Sequence, residues 1–212
     1  MDNIIYILFV SVAIPILLMA MLVENKARFP LVFMLTGIFV SVFASEVNGL
    51  LTKVLALDVY TMTVAVTPIS EEVLKALPVL YYAVVISDKR ERLFTASMAL
   101  GVGFAVLENA YYMLNYANFN MVSAIIRAFG AGLMHGMCTL LVGVGISFVK
   151  KKSKMFAVGI FGLLSTAIVY HGIYNILIQS DLSIIGALLP IATYIPFFVW
   201  RLQLKFKKNK AK

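Results

Sequence analysis

The feature that most restricts this chain is the recurrence of apolar stretches close to 20 residues long from one end of the sequence to the other, separated only by short polar turns. A helix of about 20 apolar residues spans the hydrocarbon core of a bilayer, so each stretch reads as a membrane span. Seven are predicted: Ile4 to Val23, Pro30 to Glu46, Tyr60 to Ile86, Leu93 to Asn115, Ser123 to Val149, Met155 to Ile178 and Leu182 to Leu204. The hydrophobic share of 62% and the charged share of 13% depart from those of a soluble domain in the same direction. No polar block is long enough to fold alone, so residues 1–212 read as one domain, an all-α bundle of transmembrane helices. The first stretch lacks the basic residues before it and the small-residue cleavage site after it that mark a signal peptide, and it counts as a span.

Basic residues collect on the cytoplasmic side of short loops. Numbered in order, the first loop holds Lys26 and Arg28, the third Lys89, Arg90 and Arg92, and the fifth Lys150, Lys151, Lys152 and Lys154. The even loops hold only Lys53, and the tail adds Arg201, Lys205, Lys207, Lys208, Lys210 and Lys212. The pattern predicts an outside N-terminus and a cytoplasmic C-terminus, as an odd number of spans requires. It also accounts for the formal charge of +8 without a nucleic-acid partner, because no basic face joins these residues.

Other features are structural. Cys138, the one cysteine, sits in an apolar helix and reads as packing. Trp200, Tyr81 and Tyr82 fall near inner boundaries and Tyr6 near an outer one, where amphipathic rings settle. Val47 to Val59 reads either as an amphipathic segment on the outer surface or as a plain loop. Paired glycines at 101 and 103, 143 and 145, and 159 and 162 suit close helix packing.

The chemistry lies in charges placed where charge is expensive. Each charged side chain near the bilayer centre costs at least ~2.5–3.5 kcal/mol on insertion scales, yet Glu71, Glu72, Lys75 and Glu108 all lie inside predicted spans. They need partners, protons or a metal. On a helix Lys75 reaches either Glu71, four residues away, or Glu72, three away, so one carboxylate can be paired while its neighbour stays free to work. A helix-stabilising ion pair is the plainer reading for Glu71 with Lys75, but it leaves the second glutamate unexplained. Tyr111 and Tyr112 follow Glu108 by three and four residues and read either as an interfacial pair or as groups orienting the acid.

The two histidines, His135 and His171, also fall inside spans, and Asn175 follows His171 by one turn. At ~1.5 Å per residue, Glu108 and His171 lie roughly 10 Å below their outer helix ends, and Glu71 and His135 roughly 18 Å, which within boundary error is one layer in the outer half of the membrane. Imidazole nitrogen and carboxylate oxygen suit zinc, whose catalytic sites commonly keep three protein ligands and an open position. A carboxylate beside activated water makes hydrolysis within the membrane the expected reaction class. No HExxH or GxSxG motif is present.

Glu71-Glu72-Val73-Leu74-Lys75, Gly103-Phe104-Ala105-Val106-Leu107-Glu108-Asn109, Arg127 with His135, and His171-Gly172-Ile173-Tyr174-Asn175 together resemble the PrsW family of intramembrane proteases. That family lies within a broader group of CAAX-processing and bacteriocin-processing enzymes. The resemblance implies a multi-pass protease of a bacterial plasma membrane, with its catalytic core over about 60–178. Its substrate would be a single-span membrane protein, an anti-sigma factor, cut near the outer face. Carried over by position, it implies Glu71 or Glu72 as base, His135 and His171 as metal ligands, Glu108 as third ligand or second acid, and Lys75 and Asn175 as orienting groups. Zinc is the implied metal, with a metal-independent mechanism as the alternative. The prenyl-protein endopeptidases instead carry arginine and phenylalanine where this chain has Ala76 and Ala131, which argues against that substrate class. Buried Glu, Lys and His also build proton relays, so a proton-coupled transporter is the reading from another class, with a non-catalytic scaffold beside it. No internal repeat supports the transporter.

Overall fold

The computed structural model describes residues 4–115, 121–148 and 153–210. Among these residues every regular element is helical, in seven helices: α1 (Ile4–Leu22), α2 (Asn25–Leu55), α3 (59–86), α4 (Arg90–Asn115), α5 (Met121–Ile146), α6 (Ser153–Ile178) and α7 (Ser183–Lys210). The third helix changes pitch along its length. It is α-helical over Val59–Thr61 and Thr67–Tyr81 and π-helical over Met62–Val66 and Tyr82–Ile86.

Polar side chains at the turns satisfy the backbone groups that helix ends expose. The Arg28 guanidinium closes α1, donating from Nε to the Ala20 carbonyl at 2.9 Å and from Nη2 to that of Val23 at 3.0 Å. Ala56 ends α2 in a left-handed conformation (φ 50°), its N–H returning to the Thr52 carbonyl. Asp58 then caps α3. Bonds from the Thr61 hydroxyl and N–H hold its carboxyl below the usual range.

Two boundaries differ from the sequence reading. The second helix does not stop at Glu46. It runs unbroken for 31 residues from Asn25 to Leu55, about 46 Å at ~1.5 Å per residue, so residues 47–55 are helix continuous with the span and not a plain loop. Five helices are long and apolar enough to cross a membrane: α1, α2, α4, and α5 and α6 over Ala124–Ile146 and Ala157–Ile178. The third carries Glu71, Glu72 and Lys75, and the apolar part of the seventh is confined to Ser183–Pro196.

The core runs where α3, α4, α5 and α6 meet, through Val79, Leu93, Leu100, Met134, Cys138, Ile146 and Ala167. Cys138 is fully buried, its thiol directed at the Ala167 carbonyl. Backbones approach so closely at Gly37 against Leu100, Gly103 against Met34 and Gly101 against His135 that a Cβ at any of these would strike a carbonyl. Gly162, by contrast, faces open space and has no packing role. At the edge, α1 lies along α2 and α4 with most of its surface outward.

Arg92 lies 5.9 Å from the Phe29 ring centre and Arg90 4.8 Å from that of Phe148. The start of α2, the start of α4 and the end of α5 therefore share one end of the bundle, with the basic turns gathered there. Lys150, Lys151 and Lys152 lie outside the described residues, as do the side chains of Lys154, Trp200 and the tail. Tyr81 is exposed, as an interfacial ring should be, but Tyr82 turns inward and is 6% exposed.

Candidate active site

The site is assembled around α3. Pro68 has no N–H, so Thr63, five residues earlier in a π-helical stretch, lacks the donor that its carbonyl would otherwise meet. Asn175 of α6 supplies one, its Nδ2 donating to the Thr63 carbonyl at 2.9 Å. One turn earlier on α6, Gly172 lets the backbone lie against the Val64 carbonyl. These two contacts bring His171 up to the face of α3 that carries Glu71, Glu72 and Lys75.

A continuous chain of polar contacts then joins five helices. Lys75 Nζ donates to Glu72 Oε1 at 2.6 Å and to His135 Nδ1 at 2.8 Å. His135 Nε2 meets Glu108 Oε2 at 2.7 Å, and the other Glu108 oxygen lies 3.5 Å from Arg127 Nη2. His171 Nδ1 meets Glu72 Oε1 at 2.9 Å, while its Nε2 faces Glu71 Oε2 across 4.0 Å. From α2, Asn48 Nδ2 donates to Glu71 Oε1 at 3.3 Å, and Asn48 Oδ1 accepts from the Ser70 hydroxyl. Phe104 closes one side, 4.5 Å from the ammonium and 5.0 Å from the His135 ring.

These partners fix the proton positions. An ammonium has only donors, so His135 Nδ1 accepts from Lys75, and its proton sits on Nε2 and points at Glu108. A carboxylate has only acceptors, so His171 carries a proton on Nδ1 toward Glu72, and its Nε2 faces Glu71. Glu71 Oε2 is buried and has no hydrogen-bond partner among the described residues. His171 Nε2 and Glu71 Oε2 thus face each other across 4.0 Å with no direct hydrogen bond between them. Three carboxylates face the two cations Lys75 and Arg127, leaving one negative charge for a proton or a metal cation to balance.

Glu71 and Glu108 form part of the wall of a cavity of about 420 Å³, with Ser41, Ser45, Asn48, Tyr111, Tyr112 and Asn115 among its other lining residues. Glu108 lies seven residues, about 10 Å, from the end of α4 at Asn115. The site thus occupies the half of the bundle remote from the basic turns.

Of the residues expected from sequence, Glu71, Glu72, Lys75, Glu108, His135 and His171 come together. Asn175 lies one turn away, bonded to the backbone of α3. Tyr112 acts through Arg127, whose guanidinium stacks 3.6 Å from its ring centre, and Tyr111 lines the cavity. Asn48 was missed because it fell in the segment read as a loop. Its signal was present in Ser41, Ser45 and Asn48, a polar stripe at helical spacing.

A family model for PrsW family intramembrane metalloproteases matches residues 25–201. The chain belongs to that family. No curated protein and no solved structure matches it. Membership makes this PrsW chain a peptidase of the membrane and gives its charged cluster an enzymatic setting.

The name of the PrsW family implies a metal, and the donors fit one. Glu71, His135 and His171 offer atoms within 4.8 Å of one another, and to share an ion at ~2.0–2.2 Å they would draw together by about 1 Å, with His135 releasing either Lys75 or Glu108 from one ring nitrogen. Glu72 on the far nitrogen of His171 is the orienting carboxylate that metal-binding histidines commonly have. The resemblance implies Glu108 as third ligand or second acid. In the structure the acid in this group is Glu71, with Glu108 holding His135 from its Nε2 side.

Proposed function

We propose that this PrsW protein hydrolyses a peptide bond of a single-span membrane protein, near the face of the membrane remote from its basic turns. The observation that carries the reading is Glu71 Oε2, buried, without a hydrogen-bond partner among the described residues and opposite His171 Nε2, in a residue that lines a polar cavity. By the basic-residue rule that face is outside, with seven spans, an outer N-terminus, a cytoplasmic C-terminus and a catalytic core over 60–178 within a single domain. The resemblance supplies the substrate class, an anti-sigma factor in a bacterial plasma membrane.

In this mechanism Glu71 is the base. Asn48 holds its Oε1, leaving Oε2 to take a proton from water as the water oxygen bonds to the scissile carbonyl carbon and the carbonyl electron pair moves onto oxygen. When the carbon–nitrogen bond breaks, the same carboxyl returns the proton to the leaving amine. Glu72 and Lys75 orient His171 and His135, and Arg127, stacked on Tyr112, orients Glu108. A zinc ion held by His135 and His171 beside Glu71 would supply Lewis acidity and a more acidic water.

Proteoliposomes holding the protein and a single-span anti-sigma factor, with cleavage followed by mass spectrometry, test this reading. Two products cut within or beside the outer end of the substrate span are expected. Intact substrate across a panel of such proteins, under conditions where the enzyme is folded, contradicts the substrate class.

A further inference from the structure

A second, larger concavity lies at the basic end of the bundle, between the first turns of α2 and the last turns of α3. Its volume is about 720 Å³, within the ~300–1,000 Å³ of ligand pockets. Phe29, Val32 and Phe33 of α2 and Leu77, Pro78 and Ile86 of α3 supply its apolar wall, and it shares no lining residue with the catalytic cavity. Val32, Leu77 and Ile86 are exposed on the lipid-facing surface of the bundle.

Two polar groups interrupt this wall. At the rim the Arg28 guanidinium is held by its Nε and Nη2 bonds to the end of α1, so its position is set and Nη1 is the amino group those bonds do not use. Deeper in, Tyr82 is clamped between Phe29 and Phe33, with ring centres 5.6 and 5.2 Å away. It is 6% exposed, and its hydroxyl has no hydrogen-bond partner among the described residues. A buried hydroxyl without a partner costs ~1–3 kcal/mol. Lys26, Lys89, Arg90 and Arg92 in the adjoining turns outnumber Glu24, Asp88 and Glu91 and make the rim positive.

A ligand for this groove needs an apolar body and an anionic head. We propose that the groove between α2 and α3 binds one anionic phospholipid. An acyl chain lies along Val32, Thr36 and Leu77, and the phosphate rests at Arg28. Basic pockets between helices on one side of a membrane recognise anionic headgroups in this way. A substrate segment is the poorer occupant, since from here it cannot reach Glu71, whose cavity has other walls. The lipid would brace α3, the helix that carries both catalytic-site glutamates, at the end away from the chemistry.

The test is native mass spectrometry of the full chain released from nanodiscs of phosphatidylglycerol and phosphatidylcholine in equal parts. Wild type is expected to retain one phosphatidylglycerol in at least tenfold preference. Leu77→Trp, which fills the groove with Arg28 left intact, should abolish retention, and Arg28→Gln should abolish the preference. Because Arg28 also closes α1, the Leu77→Trp result decides should Arg28→Gln fail to fold. A photo-crosslinking residue at Val32 should yield a phospholipid adduct. Equal retention by wild type and Leu77→Trp, equal retention of the two lipids, no retained lipid, or a crosslink to a peptide or a second copy of the chain each overturns the proposal.

Discussion

Two adjacent glutamates perform different tasks because a helix turns ~100° per residue. Glu72 faces Lys75 and His171 and is bonded to both, whereas Glu71 faces the cavity with one oxygen unpartnered. Glu71→Gln should therefore lower turnover at least ~10²-fold with the thermal midpoint in detergent little changed. Glu72→Gln removes the carboxylate from a fully buried ammonium, and breaking a buried pair in this way costs ~3–5 kcal/mol, so activity and midpoint should fall together. Near-normal turnover of the Glu71 variant would exclude it as the base. That one glutamate would be paired and the other free was legible from spacing alone. Which was which was not, since Lys75 at three or four residues suits either partner and the choice falls to His171, 99 residues further on.

Helix boundaries were legible from apolar run length except where a polar residue belongs to a site. Glu46 looked like the end of a span, but it lies within α2 and accepts from the Tyr6 hydroxyl of α1, and Asn48 beyond it reaches Glu71. The π-helical stretches of α3 had no sequence sign beyond Pro68, and the bond from Asn175 to Thr63 needs both helices in place before it can be seen. Glycine pairs were readable as contact points without saying which are used. An added methyl at Gly101 meets the His135 carbonyl, so Gly101→Ala should part α4 from α5, costing ~1–3 kcal/mol and displacing His135. Gly162→Ala, which meets nothing, should leave activity unchanged and gain up to ~1 kcal/mol from helix propensity. Parallel thermal melts and cleavage assays of the two variants check this, and equal behaviour would refute the packing assignment.

Across the whole molecule, the shared depth of Glu71, Glu108, His135 and His171 follows from counting residues along alternating helices, and the structure joins all four in one network. Cysteines placed singly in the 87–89 and 179–182 turns of a Cys138→Ser background should be labelled from inside and outside the cell, respectively. The reverse pattern would invert the topology. Purified protein should contain about one equivalent of zinc, lost with activity in His171→Ala. Metal content of Glu71→Gln beside Glu108→Gln separates the two candidate third ligands, and fully active protein without metal would exclude the metal from the mechanism. The network has a consequence for biosynthesis as well. Glu71, Glu72 and Lys75 enter the membrane with α3, yet His135 and His171 are translated 60 and 99 residues after Lys75 and Glu72, their partners. At ~5–20 residues per second, the interval from the end of α3 to His171 is about 4 to 17 s. Until its end the nascent chain holds its acids without the full pair of imidazoles, and on the mechanism proposed above it does not yet cut neighbouring proteins at the insertion site. The order of helices along the gene thereby acts as a propeptide that need never be removed.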